Sequence, residues 1–188
     1  VWVSYYMFKH TKRNFNKGLP ISLAIEPTTS CNLRCPECPS GLRQFTRPIG
    51  MLEPAFFKKT IDDVYKELLY LTFYFQGEPY LNPHFLDMVT YASTKKIYTS
   101  TSTNAHYLTP EMALKTVQSK LDKLIISIDG TTQDTYEQYR IGGTLSKVID
   151  GTKNIVSAKK KLQCKTPHLV FQFLVVKPNE HQLNDVKQ

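Results

Sequence analysis

The chain has 188 residues, 41% of them hydrophobic, and 24 Lys and Arg against 16 Asp and Glu give a net charge of +8. This length accommodates one domain with a sizeable core, and the hydrophobic share is ordinary for a globular protein. No uninterrupted apolar run approaches the roughly 18 residues that a membrane helix needs. The opening Val1-Trp2-Val3-Ser4-Tyr5-Tyr6 lacks a basic head before a sustained apolar core and does not read as a signal peptide. The positive charge reads first as a Lys-rich solvated surface, to which Lys159-Lys160-Lys161 belongs, and second as a surface for an acidic partner such as RNA or an acidic peptide. No stretch clearly interleaves aromatic with basic side chains as a base-stacking platform does; the segment before Pro20 comes closest.

Residues 1–20 form a leader that mixes aromatics with Lys9, Lys12, Arg13 and Lys17. It reads either as a short helix packing on the domain or as disordered chain. Ile21 to Glu26 is the first predicted strand, followed by the polar turn Pro27-Thr28-Thr29-Ser30 and then Cys31-Asn32-Leu33-Arg34-Cys35-Pro36-Glu37-Cys38. This loop continues to about Gly50. Pro54 suits the first turn of a helix, and Phe57, Ile61, Val64 and Leu68 recur at helical spacing. Leu69 to Phe75 is the second strand, ending at Gly77-Glu78-Pro79. Asn82 is the predicted cap of a helix with Pro83 at its first position and Phe85, Met88, Val89 and Ala92 on one face.

Ile97 to Thr103 is the third strand, ending near Asn104, and Thr109-Pro110-Glu111 starts a third helix. Leu121 to Ile128 is the fourth strand, ending at Asp129-Gly130. A helix from about Gln133 is interrupted at Gly142-Gly143 and resumes with Leu145, Val148 and Ile149 to about Lys161. Leu169 to Val176 is the fifth strand, and Pro178-Asn179-Glu180 leads into a last helix. Strands alternating with helices predict parallel βα units, in either an open doubly wound sheet or part of a β/α barrel. The polar candidates lie at or just after the ends of strands one to four, where both architectures build their sites.

Three of the four cysteines, Cys31, Cys35 and Cys38, fall within eight residues, and Cys164 stands far away. A disulfide framework would spread them; this crowding reads as metal ligation in a reducing compartment, hence the cytoplasm. On a loop, free of helical or strand periodicity, the three thiols can point at one centre. Iron–sulfur clusters are held by cysteine thiolates. A four-iron cluster on three thiolates would leave one iron open to a small chelating ligand. The rival is structural zinc, which needs a fourth ligand; Cys164 or His168 would have to come from beside the fifth strand.

The other candidates have plainer readings beside the functional ones. Gly77-Glu78-Pro79 is a strand-to-loop turn, Asn104 a loop residue tolerant of unusual backbone angles, and Arg140 a helix cation. Ser127 and Asp129 alternate with Ile126 and Ile128, so period two sends both to one face. The five histidines show no metal-like pairing and read as surface or loop residues. The tyrosines read as core.

Cys-x3-Cys-x2-Cys on the loop after a first strand resembles the radical S-adenosylmethionine enzymes. Phe75-Gln76-Gly77-Glu78-Pro79 resembles that family's Gly-Gly-Glu/Gly-Glu-Pro element. Ile126-Ser127-Ile128-Asp129-Gly130, then Tyr139-Arg140-Ile141-Gly142-Gly143, resembles the branch that usually carries a C-terminal auxiliary-cluster (SPASM-type) domain. The resemblance runs from about Ile21 onward, and 21–188 is taken as the core domain. It implies an α/β fold, a partial (β/α)6 TIM-like barrel truncated after about five βα units, so that a sixth unit and any auxiliary domain are expected beyond Gln188.

The cofactors implied are a 4Fe–4S cluster on Cys31, Cys35 and Cys38 and S-adenosylmethionine chelating the fourth iron. Gly77, Glu78 and Pro79 would engage its amino group and Arg140 its carboxylate. Ser127 would lie near the ribose, Asp129 near ribose or substrate, and Asn104 on the adenosine side. The implied chemistry is reductive cleavage to a 5′-deoxyadenosyl radical that abstracts hydrogen, with a flavodoxin or ferredoxin as electron donor. The expected substrate is a peptide or protein side chain. The alternatives are an RNA- or small-metabolite-modifying radical enzyme, or a non-catalytic zinc or iron–sulfur module. No residue is assigned a catalytic role.

Overall fold

The structure, a computed structural model, describes residues 2–13 and 18–187. Five short strands form one parallel sheet: β1 (Ser22–Ala24), β2 (Tyr70–Thr72), β3 (Tyr98–Thr103), β4 (Lys123–Ser127) and β5 (His168–Gln172), in the order β1-β2-β3-β4-β5. Between them run α2 (Pro39–Leu42) and α3 (Pro54–Val64), α4 (Phe85–Thr94), α5 (Pro110–Gln118), and α6 (Gln133–Tyr139) with α7 (Leu145–Lys161). A doubly wound sheet reverses its strand order at a switch point. Here each crossover lands on the next strand in the same direction, as in a β/α barrel. The fold is α/β, a partial (β/α)6 TIM-like barrel.

Period two divides the faces of the sheet. Leu71 and Phe73, then Leu124 and Ile126, face the helices and join Phe57, Ile61, Phe85, Met88, Val89, Val117, Val148 and Ile155 in one core. The other face is more polar: Thr72 pairs there with Ser100 and Ser127 with Gln172, while Ile125 stands between Ser102 and Val170. The caps follow the sequence. Thr109 Oγ1 accepts from Met112 N at 3.2 Å, and Thr132 Oγ1 from Thr135 N at 3.4 Å.

The structure corrects four expectations. The leader is helical over Trp2–Thr11 (α1), but none of its residues is buried, so it does not pack on the domain; Lys17 lies outside the described residues. Asn82 does not cap a helix starting at Pro83, for α4 begins at Phe85. Its Oδ1 takes His84 N at 2.9 Å, and its Nδ2 donates to the carbonyls of Pro27 (2.8 Å) and Leu52 (3.1 Å), tying two distant loops together. The last helix is two short 3₁₀ turns, Glu180–Gln182 and Asp185–Lys187. The fifth strand stops at Gln172 rather than Val176, because Leu174 N turns away to Asp129 Oδ1 at 2.7 Å. No helix among the described residues is long and apolar enough to cross a membrane.

Candidate active site

The loops after β1, β2, β3 and β4 meet at the C-terminal end of the sheet. Leu33, Cys35 and Tyr139 form a small buried cluster there, with Cys31, Cys38 and Val176 packed around it. Gly41 permits this, since a Cβ there would stand 2.6 Å from Cys35 N. The four cysteines are all free thiols.

Each thiol of the loop receives a polar side chain from a different place. Gln76 Oε1, after β2, lies 3.3 Å from Cys38 Sγ and also takes Ser40 Oγ at 3.0 Å. Asn104 Nδ2, after β3, points to Cys31 Sγ at 4.0 Å and donates to Asn32 Oδ1 at 2.7 Å. Arg140 Nη1, at the end of α6, points to Cys35 Sγ at 3.7 Å. Burial pushes the Cys31 thiol up to about 11, opposed by the Leu33 N–H. Burial also raises Cys35, opposed by Arg140. Both therefore hold their protons at neutral pH until a metal displaces them.

No three His, Cys, Asp or Glu side chains among the described residues are grouped to hold a single metal ion. The donor set, three free thiols on one loop, fits a polynuclear cluster in which each thiolate binds its own iron. His168 does not approach the loop: it opens β5, at the opposite end of the sheet.

Gly77-Glu78-Pro79 is a clamp. Gly77 has φ +80°, its N–H donates to Ser40 Oγ at 2.9 Å, and Glu78 N donates to Ser30 O at 2.7 Å. Any Cβ at Gly77 would stand 2.9 Å from the Ser30 carbonyl oxygen and closer still to that of Thr28. Gly77→Ala is therefore expected to cost about 1–2 kcal/mol in backbone strain and about 1–3 kcal/mol more in overpacking. A lower urea midpoint with an unchanged slope would register it; an unchanged midpoint would refute the clamp.

Pro79 is buried and opens a 3₁₀ turn, Pro79–Leu81. The Glu78 carboxylate is buried and accepts from Thr103 Oγ1 (2.8 Å), Asn104 N (2.8 Å) and Tyr80 N (3.4 Å). Burial pushes it up to about 7, against these donors and Arg140. Its three donors suit the anion.

Asp129 is fully buried at the end of β4. One oxygen pairs with Arg140 Nε and the other takes Leu174 N. Asn179 Nδ2 braces its carbonyl at 3.0 Å. Arg140 thus links Asp129 to Cys35. Ser127 stands apart on the polar face, its Oγ 3.4 Å from Ser102 Oγ. Cys31, Cys35, Cys38, Glu78, Asn104, Asp129 and Arg140 are joined by contacts; Ser127 lies near them by register alone.

Sequence reasoning missed Gln76, Ser40 and His106. His106 is no plain surface histidine. Its Nδ1 meets the carbonyl (2.9 Å) and side-chain oxygen (3.1 Å) of Asn104, and its Nε2 accepts from Thr144 N at 2.8 Å. Burial lowers its pKa, so the neutral ring persists with Nδ1 protonated. It fixes Asn104 from behind. Gln76 could have been found from its place beside Gly77; His106 and Ser40 carry no local signal.

Parallel βα units with a thiol-bearing loop at the strand ends define the core of a cofactor-dependent enzyme. The family model of the Radical SAM superfamily matches residues 25–181, and the chain belongs to that superfamily of enzymes. Its cofactors are a 4Fe–4S cluster and S-adenosylmethionine. The chain is 30% identical over 146 residues to the mycofactocin maturase MftC of Mycobacterium tuberculosis, covering 77% of this chain and 37% of that protein. It is 29% identical over 170 residues to the tungsten-containing aldehyde ferredoxin oxidoreductase cofactor-modifying protein of Pyrococcus furiosus, covering 87% and 46%.

Streptococcus suis SuiB, solved bound to S-adenosylmethionine, shares the fold at a TM-score of 0.73 and 16% identity, over 99% of this chain and 40% of that one. SuiB has also been solved bound to the precursor peptide SuiA. The chain spans less than half the length of each of these relatives.

Proposed function

We propose that this chain is the core of a radical S-adenosylmethionine enzyme whose substrate is a peptide or protein side chain, with a flavodoxin or ferredoxin supplying the electron. The observation that carries the reading is the meeting of Cys31, Cys35 and Cys38 with Gln76, Asn104 and Arg140 from three separate loops. The maturase among its relatives and the peptide-bound SuiB structure support the peptide substrate. The crowded thiols support a cytoplasmic setting.

When bound, the cluster and S-adenosylmethionine supply a 5′-deoxyadenosyl radical that takes hydrogen from the substrate. The protein's part is placement. Cys31, Cys35 and Cys38 hold the cluster, and Asn104 and Arg140 direct N–H groups at two of the sulfurs. Gly77, Glu78 and Pro79 present backbone and carboxylate to the ligand's amino group. Arg140 offers its guanidinium to the ligand carboxylate, with Asp129 fixing its angle. Asn104 faces the adenosine and Ser127 the ribose. Leu33 and Tyr139 bury Cys35 and pack beside Cys31 and Cys38.

The test is anaerobic reconstitution with iron and sulfide, then electron paramagnetic resonance of the reduced protein with and without S-adenosylmethionine. A reduced-cluster signal that changes on adding the ligand is expected. Zinc without sulfide, or a signal indifferent to the ligand, would refute the reading. Release of 5′-deoxyadenosine stimulated by RNA and not by peptides would transfer the substrate to RNA.

A further inference from the structure

Buried Asn104 and half-buried His106 stand on either side of Ala105 in the turn that follows β3. Ala105 has φ +64°, which folds His106 back over Asn104. Both ring nitrogens then have partners. Nε2 accepts from the Thr144 N–H at 2.8 Å, and an accepting ring nitrogen carries no proton. Thr144 therefore places the proton on Nδ1, which lies 2.9 Å from the Asn104 carbonyl oxygen and 3.1 Å from Asn104 Oδ1. The His106 backbone N–H donates to the same Oδ1 at 3.1 Å.

Two donors at Oδ1 settle which way the Asn104 amide faces. Its Nδ2 is turned to the thiol loop, donating to Asn32 Oδ1 at 2.7 Å and lying 4.0 Å from Cys31 Sγ. The reverse orientation would set a carbonyl oxygen against Asn32 Oδ1 and the sulfur, and an NH₂ against two N–H donors. The turn joining α6 to α7 thus addresses two sulfurs. Arg140 directs Nη1 at Cys35, and Thr144 reaches Cys31 through His106 and Asn104. N–H groups aimed at cluster sulfurs stabilise the more negative, reduced state and raise the reduction potential. We propose that His106 is a positioning residue for the cluster: it keeps the N–H side of the Asn104 amide toward Cys31 and thereby holds the reduction potential up. This rests on the reading of the site given above.

The test is a potentiometric titration of the reconstituted full-length protein without S-adenosylmethionine, followed by electron paramagnetic resonance. His106→Leu removes both ring nitrogens, His106→Gln sets its amide near the Nε2 position, and His106→Asn sets it near Nδ1. The Leu and Gln variants are expected to lower the midpoint by a roughly three- to tenfold shift in the one-electron equilibrium, about 30–60 mV. The Asn variant is expected to keep the midpoint of the unaltered protein. In an Asn104→Leu background, His106→Leu is expected to have no further effect, because His106 acts through that amide. A merely structural role would lower the Tm of the apoprotein and leave the midpoint alone. An unmoved midpoint in the Leu and Gln variants, an Asn variant displaced as far as Gln, or additive shifts in the double variant would overturn the proposal. Where His106→Leu takes up no cluster, the Gln and Asn variants decide by the same criterion. If the unaltered protein takes up no iron–sulfur cluster, the reading of the site falls and the role of His106 falls with it.

Discussion

Replacing Cys35 with Ala is expected to abolish the iron–sulfur cluster, with iron, acid-labile sulfide and the reduced electron paramagnetic signal all falling to background. A three-thiolate site has no spare ligand, so one deletion leaves an iron without its protein anchor. Cys35 is the most damaging of the three to lose. It is 5% exposed, packs with Leu33 and Tyr139, and is the sulfur that Arg140 approaches. Cys31→Ala and Cys38→Ala are expected to lose the cluster as well, with smaller effects on the apoprotein. Cys164→Ala is the control. That thiol lies just before β5, beside Thr166 Oγ1 at 3.5 Å, and its loss is expected to leave the metal content unchanged. Retention of the cluster by the Cys35 variant, or its loss from the Cys164 variant, would remove the assignment.

Arg140→Leu is expected to destabilise the apoprotein by about 3–5 kcal/mol, the cost of stranding a buried charge, and to weaken S-adenosylmethionine binding at least tenfold. Asp129 is fully buried, and Arg140 Nε is the cation that pairs with it. Leu174 N–H still serves one oxygen, which favours the lower end of that range. Arg140→Lys is expected to fall between, since a lysine keeps the charge but lacks the planar fork. The double variant Arg140→Leu with Asp129→Asn is expected to recover part of the lost stability, because the orphaned charge is gone. Urea unfolding of the unaltered protein, Arg140→Leu, Asp129→Asn and the double variant gives the cycle. If the double variant is no more stable than Arg140→Leu alone, the stranded charge is not the source of the loss.

Much of this site was legible because its chemistry is local in sequence. Cys31, Cys35 and Cys38 need only a loop to converge. Gly77 had to be glycine for a reason the structure makes plain, since the carbonyls of Thr28 and Ser30 leave no room for a Cβ. Most strands were legible from their apolar runs and the parallel βα units from alternation with helices, while the choice of a barrel over a doubly wound sheet came from the family resemblance. What stayed hidden is whatever distance decides. Asn82 has the chemistry of a helix cap, but Pro27, 55 residues away, claims its amide. Ser40 and Gln76 meet across 36 residues, and His106 and Thr144 across 38. The last helix failed for the same reason. Asn179 is drawn to the carbonyls of Asp129 and Leu174, and the chain there follows those bonds instead of its own helical propensity.

The guanidinium that approaches Cys35 comes from 105 residues further along the chain. At roughly 5–20 residues per second of synthesis, Cys35 is made about 5–20 s before Arg140. The β4 carboxylate that fixes that guanidinium, Asp129, arrives only 11 residues before it. For that interval the thiols stand without the partners that later enclose them. Protection from oxidation and from stray metal then has to come from the surrounding medium. Cluster delivery belongs after synthesis has passed β4, and slow translation between β1 and β4 would lower the share of chains that reach the loaded state.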